Sequence, residues 1–96
     1  MDAEEWAEEL KKALPVELTK LREARGLSKN ELSARTGLAR SFITYLEQGR
    51  ATPSIESFGR LAFALGLSPG EILKRAEKRI DPIPRFRKDA RRYFGE

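Results

Sequence analysis

The segment covering residues 26–49 constrains the fold most, because it predicts two short helices joined by a tight glycine turn. Ser28 and Glu31 have the spacing of a capping box, in which each side chain accepts a hydrogen bond from the backbone N–H of the other residue. Gly37 is expected to end this helix, since glycine adopts the left-handed conformation at little steric cost. The apolar rhythm resumes at Leu38, so the connection to the next helix must be short.

The second of these helices has two different faces at the 3.6-residue period. Ile43 and Leu46 share one face and are expected to point into a core. The opposite face carries polar side chains that could contact DNA bases: Arg40, Ser41, Thr44 and Tyr45. A major groove admits an α-helix, and arginine can donate two hydrogen bonds to guanine, so Arg40 is the best candidate for base recognition.

The chain resembles the Cro and phage-repressor type of helix-turn-helix proteins, often called the Xre family, over residues 18–73. The resemblance rests on sequence elements in family order and at family spacing: LREARGLS at 21–28, EL at 31–32, TGL at 36–38, YLEQGR at 45–50, PS at 53–54 and LAFALGLS at 61–68. It implies an all-α, five-helix, lambda-repressor-like helix-turn-helix domain. Its third helix, residues 40–47 here, would enter the major groove.

The same resemblance implies roles for residues around the recognition helix. Arg22 of the first helix and Glu47 at the end of the third would form a structural ion pair. The phosphate contacts of the DNA backbone would come from four residues: Ser28, Lys29, Arg50 and Thr52. Contacts to phosphate position a protein on the duplex and contribute affinity, whereas contacts to bases contribute specificity.

Three positions depart from the family pattern. Lys29 stands where a glutamine often opens the second helix, so a contact to phosphate through a point charge is expected there. Ala39 replaces the usual Ser or Thr cap of the third helix, a change that typically costs on the order of 1 kcal/mol. Phe63 occupies a position of the fourth helix that is usually polar.

Capping and breaking signals place the remaining helices of the domain. The predicted helices cover residues 16–25, 29–36, 40–48, 55–65 and 69 onward, with Ser54 and Ser68 as caps. The predicted core stripe of the fourth and fifth helices contains seven side chains: Ile55, Phe58, Leu61, Ala62, Leu65, Ile72 and Leu73.

Two extensions flank this domain, which is predicted to cover residues 15–79. Residues 1–14 predict an amphipathic helix that Pro15 separates from the domain. That helix could dock on its own domain, with Phe63 as an acceptor, or on a second subunit. Residues 80–96 form a basic and aromatic extension with a short helical stretch at 85–94. This stretch could bind nucleic acid as a basic arm, although burial of its aromatic stripe is the preferred interpretation.

Composition limits the chemistry that the chain can perform. Histidine and cysteine are absent, which excludes disulfides, zinc sites built on these ligands and Cys- or Ser-His catalysis. We therefore predict a non-enzymatic protein with no catalytic residue, no metal and no cofactor. The sequence has neither a signal peptide pattern nor an apolar run long enough to span a membrane, so a cytoplasmic location is expected.

Charge distribution supports a polyanionic partner. Residues 1–14 hold two lysines against five acids, residues 15–78 hold 11 basic against 7 acidic residues, and residues 79–96 hold six against three. The head is therefore acidic and the remainder is basic, which favours contact with DNA phosphates and predicts strong salt dependence.

These features predict a sequence-specific transcriptional regulator that binds double-stranded DNA. The simplest version is a homodimeric repressor on a near-palindromic operator, because a dimer places two recognition helices about one helical turn apart. The alternative is an antitoxin, whose appended helices would bind a toxin or another protein antagonist while the helix-turn-helix regulates its own operon.

Overall fold

A computed structural model of the protein describes residues 2–80 and shows five α-helices, with no β-strand in that range. The helices are α1 (Ala3–Ala24), α2 (Lys29–Thr36), α3 (Arg40–Glu47), α4 (Ile55–Leu65) and α5 (Pro69–Glu77). The predicted all-α class and five-helix domain are confirmed. The helical stretch predicted at residues 85–94 lies outside the described residues.

Local capping chemistry defines most helix ends. The side chains of Ser28 and Glu31 form the predicted capping box at the start of α2, and both nitrogen-to-oxygen distances are 3.0 Å. Ser54 and Ser68 cap α4 and α5 through their hydroxyl oxygens, which accept from the N–H groups of Ser57 and Glu71 without the reciprocal bond of a capping box. Gly37 ends α2 with a φ of 75°, a left-handed conformation that explains why glycine is needed there.

The first helix is continuous, so the prediction that Pro15 separates two helices was wrong. A proline inside a helix lacks the N–H that would bond to the carbonyl of Lys11, four residues earlier. Here, however, Pro15 is buried, as are Ala13 and Leu18 on either side of it. Their packing holds the helix together across the missing bond. The predicted boundary between residues 14 and 15 therefore falls inside α1.

The main hydrophobic core lies where α1 to α5 converge. It is built from eleven buried side chains: Leu18, Leu21, Leu27, Leu32, Ile43, Leu46, Phe58, Leu61, Ala62, Leu65 and Ile72. The prediction that Ile55 belongs to this core was wrong, since its side chain is 89% exposed. Ile55 is the first residue of α4 and lies about 60° around the helix from Phe58, toward solvent.

A second, smaller cluster attaches the beginning of α1 to the end of the domain. Ala13, Ala76 and Ile80 are buried together, and Trp6 and Leu10 pack against them. The apolar stripe of the N-terminal segment therefore docks on its own chain. Phe63, the acceptor suggested by the sequence, lies outside this cluster and is 90% exposed. None of the helices in residues 2–80 combines the length and apolar character needed to cross a membrane.

Candidate nucleic-acid interface

Side-chain hydrogen bonds fix the turn between α2 and α3. The Ser33 hydroxyl donates to the Leu38 carbonyl at 2.6 Å, and the Thr36 hydroxyl donates to the Leu32 carbonyl at 2.8 Å. Thr36 Oγ1 also accepts from the Leu38 N–H at 3.2 Å. Arg60 of α4 adds a hydrogen bond to the Thr36 carbonyl at 3.3 Å. The angle between the two helices is thus held by interactions within the turn as well as by the core.

Arg22 and Glu47, the expected ion pair, are in direct contact. Arg22 Nε donates to Glu47 Oε2 at 2.6 Å and Nη2 donates to Oε1 at 3.0 Å, which is the two-pronged geometry that suits this pair. Only 12% and 8% of the two side chains are exposed. The hydrogen bond that Arg22 donates to Glu47 raises the pKa of Arg22. Arg22 Nη1 also donates to the Leu27 carbonyl at 2.9 Å, so one side chain joins α1, the following loop and the end of α3.

The two predicted faces of α3 are present. Ile43 and Leu46 are 1% and 2% exposed and lie in the core. Of the predicted base-contacting residues, Arg40, Ser41 and Tyr45 are exposed and Thr44 is half-buried. These four residues therefore follow one another along the outer side of the helix.

Sequence reasoning missed Gln48 on this face. It follows Thr44 by four residues and Tyr45 by three, so it lies on the same side of α3, and it is exposed. Glutamine can bind adenine through two hydrogen bonds in the major groove. The helical spacing was enough to include it, but the predicted site ended at Tyr45.

Tyr45 and Arg50 form a stacked pair across the end of α3. The guanidinium carbon of Arg50 lies 4.8 Å from the centre of the Tyr45 ring, within the range of a cation–π interaction. The Arg50 N–H donates to the Tyr45 carbonyl at 2.8 Å, and Arg50 Nη1 donates to Gln48 Oε1 at 3.4 Å. Tyr45, a predicted base contact, is thus held together with Arg50, a predicted phosphate contact. No feature of the sequence indicated this pairing.

The other predicted phosphate contacts lie on two different elements. Ser28 caps α2, and its hydroxyl oxygen accepts from the N–H of Glu31. The N–H of Ser28 also donates to the Glu31 carboxylate and lowers its pKa. Lys29 begins α2 and is half-buried, whereas Thr52 is exposed in the loop between α3 and α4.

The start of α3 lacks a side-chain cap, as the alanine predicts. Ala39 has extended backbone angles and makes no side-chain hydrogen bond to the helix. The first backbone N–H groups of an α-helix have no partner within the helix. Those of α3 accordingly lack the stabilisation that serines give to α2, α4 and α5.

Comparison with family models gives a match to the helix-turn-helix domain over residues 13–74. An uncharacterized HTH-type transcriptional regulator, y4dJ of Sinorhizobium fredii, is 32% identical over 65 residues, which cover 68% of this chain and 84% of y4dJ. The HTH-type transcriptional regulator PuuR of Escherichia coli is also 32% identical over 65 residues, but these cover only 35% of PuuR.

Solved structures of the clp gene regulator ClgR from Corynebacterium glutamicum have the same fold. One is 30% identical with a TM-score of 0.66 and covers 70% of this chain and 86% of ClgR. Another has a TM-score of 0.70 over 90% of this chain and 86% of ClgR, and at 24% identity it supports the fold alone.

Proposed function

The chain belongs to the helix-turn-helix family of transcriptional regulators, and we propose that it is a homodimeric repressor that binds a near-palindromic operator. This proposal rests on the outer face of α3, where Arg40, Ser41 and Tyr45 are exposed while the opposite face packs in the core. The Arg22–Glu47 pair fixes the end of that helix to α1. A regulator of this kind would act on cellular DNA, which fits a cytoplasmic location.

The exposed face of α3 would read bases in the major groove. Arg40 can donate two hydrogen bonds to guanine, Ser41 can pair with several base edges and the Thr44 methyl can contact thymine. Tyr45 would contact a base or a phosphate, with Arg50 stacked on its ring. We add Gln48 to this set because it lies on the same exposed face.

The residues around α3 would bind the DNA backbone. Lys29 and Arg50 offer positive charge, and Thr52 and Ser28 offer hydroxyl donors. Because neutralised phosphates release counterions, affinity should fall steeply as the salt concentration rises. These contacts would fix the register of α3 without contributing sequence information.

A first experiment is selection of bound duplexes from a randomised pool. Enrichment of a near-palindrome with half-sites about one helical turn apart is expected for a dimeric sequence reader. Binding without enrichment would contradict this proposal. It would favour a protein-interaction role, such as that of an antitoxin, and would make a search for a protein partner the next step.

The selected duplex then allows base contacts and phosphate contacts to be separated. Arg40→Ala should weaken specific binding by about 1–3 kcal/mol and relax the preference at one base pair, whereas Arg50→Ala should weaken all sequences alike. Lys74→Ala, which removes an exposed charge on α5, is the matched control and should have little effect. Equal losses on specific and random DNA for Arg40→Ala would contradict its assignment to base recognition.

The outer face of α4 is the surface that we propose for dimerisation. Ile55 and Phe63 are 89% and 90% exposed although both are large and apolar. They lie on one side of the helix, with Gly59 between them. A Cβ atom added to Gly59 would meet no atom within 4 Å, so the surface between the two side chains is open. Contiguous apolar surface of this kind is typical of protein–protein contacts.

Charge on this face favours a second copy of the chain as the partner. Glu56 and Arg60 form an ion pair at 2.7 Å along one edge of the apolar stripe. If two α4 helices pack antiparallel about a twofold axis near Gly59, each Glu56 comes close to Arg60 of the second copy. The face is therefore complementary to itself, as a twofold symmetric interface requires.

Phe63→Ser tests this interface, and Phe63→Leu is the control that keeps an apolar side chain. We expect the serine variant to be a folded monomer in sedimentation experiments, because a side chain that is 90% exposed contributes little to the fold of one chain. The leucine variant should remain dimeric. A serine variant that stays dimeric would place the interface elsewhere.

A further inference from the structure

The N-terminal half of α1 carries an acidic and apolar surface that the proposed DNA site does not use. We call residues 2–12 the α1 head. At helical spacing, Trp6 and Leu10 lie on one stripe, and Glu5 and Glu9 lie along one edge of it. The segment contains five acidic residues and two lysines. A shallow depression on its surface is lined by Lys12 and by five acidic side chains: Asp2, Glu4, Glu5, Glu8 and Glu9.

The described part of the chain ends beside this surface. Ile80 is only 3% exposed and is buried against Ala13 and Ala76. Trp6 and Leu10 pack on the same cluster. Residue 81 therefore continues from a point within reach of the apolar stripe of the α1 head.

The sequence that follows Ile80 is complementary to the α1 head in both polarity and charge. Residues 81–96 contain four large apolar side chains: Ile83, Phe86, Tyr93 and Phe94. They also contain five basic residues against three acids. If residues 85–94 form the predicted helix, its period would place the aromatic residues on one side and arginines on both flanks.

The lengths of the two segments also agree. Ten residues at 85–94 would extend about 15 Å as a helix, the same length as ten residues of the α1 head. Residues 81–84, with two prolines, can extend up to about 13 Å between them. This linker is long enough to let the next segment turn back along α1.

We propose that residues 81–96 dock on the α1 head of the same chain, with their aromatic side chains over the Trp6–Leu10 stripe and their arginines beside Glu5 and Glu9. Burial of apolar surface supplies the main attraction, and the opposite charges fix the orientation. Docking would also affect DNA binding, a consequence that rests on the proposed function. The arginines of the segment would contact the α1 head and would not be available to DNA phosphates.

Fluorescence of Trp6 tests the contact without DNA, so the result is independent of the proposed function. Trp6 is the single tryptophan of the chain, and its quenching by acrylamide reports access to the α1 head. The double variant Phe86→Ser with Phe94→Ser should raise the quenching constant by about twofold in the full chain, because the docked segment opens. Lys88→Ser, on the side of the predicted 85–94 helix opposite its aromatic residues, is the matched control and should leave it unchanged.

A charge exchange checks the orientation of the segment. Arg87→Glu with Arg91→Glu should increase quenching, and adding Glu5→Lys with Glu9→Lys should restore protection. High salt should also increase quenching of the unaltered protein, since exposed charges are screened. Unchanged quenching in the double phenylalanine variant would overturn the proposal. Protection that disappears on serial dilution would overturn it too, because the segment would then come from a second copy.

Discussion

The two halves of α1 belong to one uninterrupted helix but are held in different ways. Leu18 and Leu21 in the second half are 5% and 3% exposed and lie in the main core. In the first half, Trp6 and Leu10 are only half-buried, against a cluster of three side chains. Continuity of a helix therefore does not imply uniform stability along it. We expect the first half to open locally while the second half opens only when the domain unfolds.

The largest expected effect comes from core truncation in the second half. Leu21→Ala should lower the free energy of unfolding by about 2–5 kcal/mol, because it removes a buried side chain and leaves a cavity. Leu10→Ala, the same change in the first half, should cost much less because this side chain is only half-buried. Denaturant unfolding of both variants measures the difference. Equal losses would mean that the two halves are equally important to the fold.

Breaking the ion pair of the second half should have the next largest effect. Glu47→Gln leaves the Arg22 guanidinium largely buried without its carboxylate, a change expected to cost about 1–3 kcal/mol. Glu8→Gln is the control, since its pair with Lys11 is exposed and such pairs contribute about 0–1 kcal/mol. Thermal unfolding compares the two. A similar shift in both variants would contradict a special role for the Arg22–Glu47 pair.

A smaller effect is expected at the junction of the two halves. Glu17 accepts from Arg79 Nε at 2.9 Å and is itself buried, which connects α1 to the residues just after α5. Because Arg79 is one-third exposed and the contact has a single bond, Glu17→Gln should cost about 1 kcal/mol. Glu8→Gln, in an exposed pair, should be neutral. Amide exchange near Ala76 should accelerate in the first variant only; unchanged exchange would argue against this connection.

The smallest effect concerns pH at the start of α1. The backbone N–H of Glu5 lowers the pKa of Asp2, so this carboxylate stabilises the folded helix start. That stability is fully present above the pKa of an unfolded aspartate and is lost as the pH falls through the lowered folded value. Amide exchange should therefore accelerate in the first turn of α1 in this acidic range. Asp2→Asn should remove the pH dependence of amide exchange at this end of α1. If the pH dependence persists, it arises from another carboxylate.

Local chemistry explains which parts of the fold were predictable. Three predicted features depend only on neighbours within a few residues, and the structure has all three. They are the capping box at Ser28, the glycine at the end of α2 and the apolar helix face with Ile43 and Leu46. The missing cap at Ala39 was predictable for the same reason.

The errors came from contacts between residues distant in the sequence. Pro15 does not interrupt α1 because burial compensates for its missing hydrogen bond, and periodicity cannot report that burial. Glu17 and Arg79 are 62 positions apart, so no local pattern predicts their contact. Ile55 has the spacing of a core residue, yet its position at the start of α4 leaves it in solvent.

The uneven restraint of α3 has a consequence for how an operator could vary. Glu47 ties one end of the helix to α1, whereas Ala39 provides no cap at the other. Base pairs opposite Tyr45 would meet a fixed surface and should tolerate few changes. Base pairs opposite Arg40 would meet the uncapped start of α3, so related operators should differ mainly there. Mutations near Arg40 could therefore change the preferred bases in small steps, while the end of α3 at Glu47 keeps its position on the DNA.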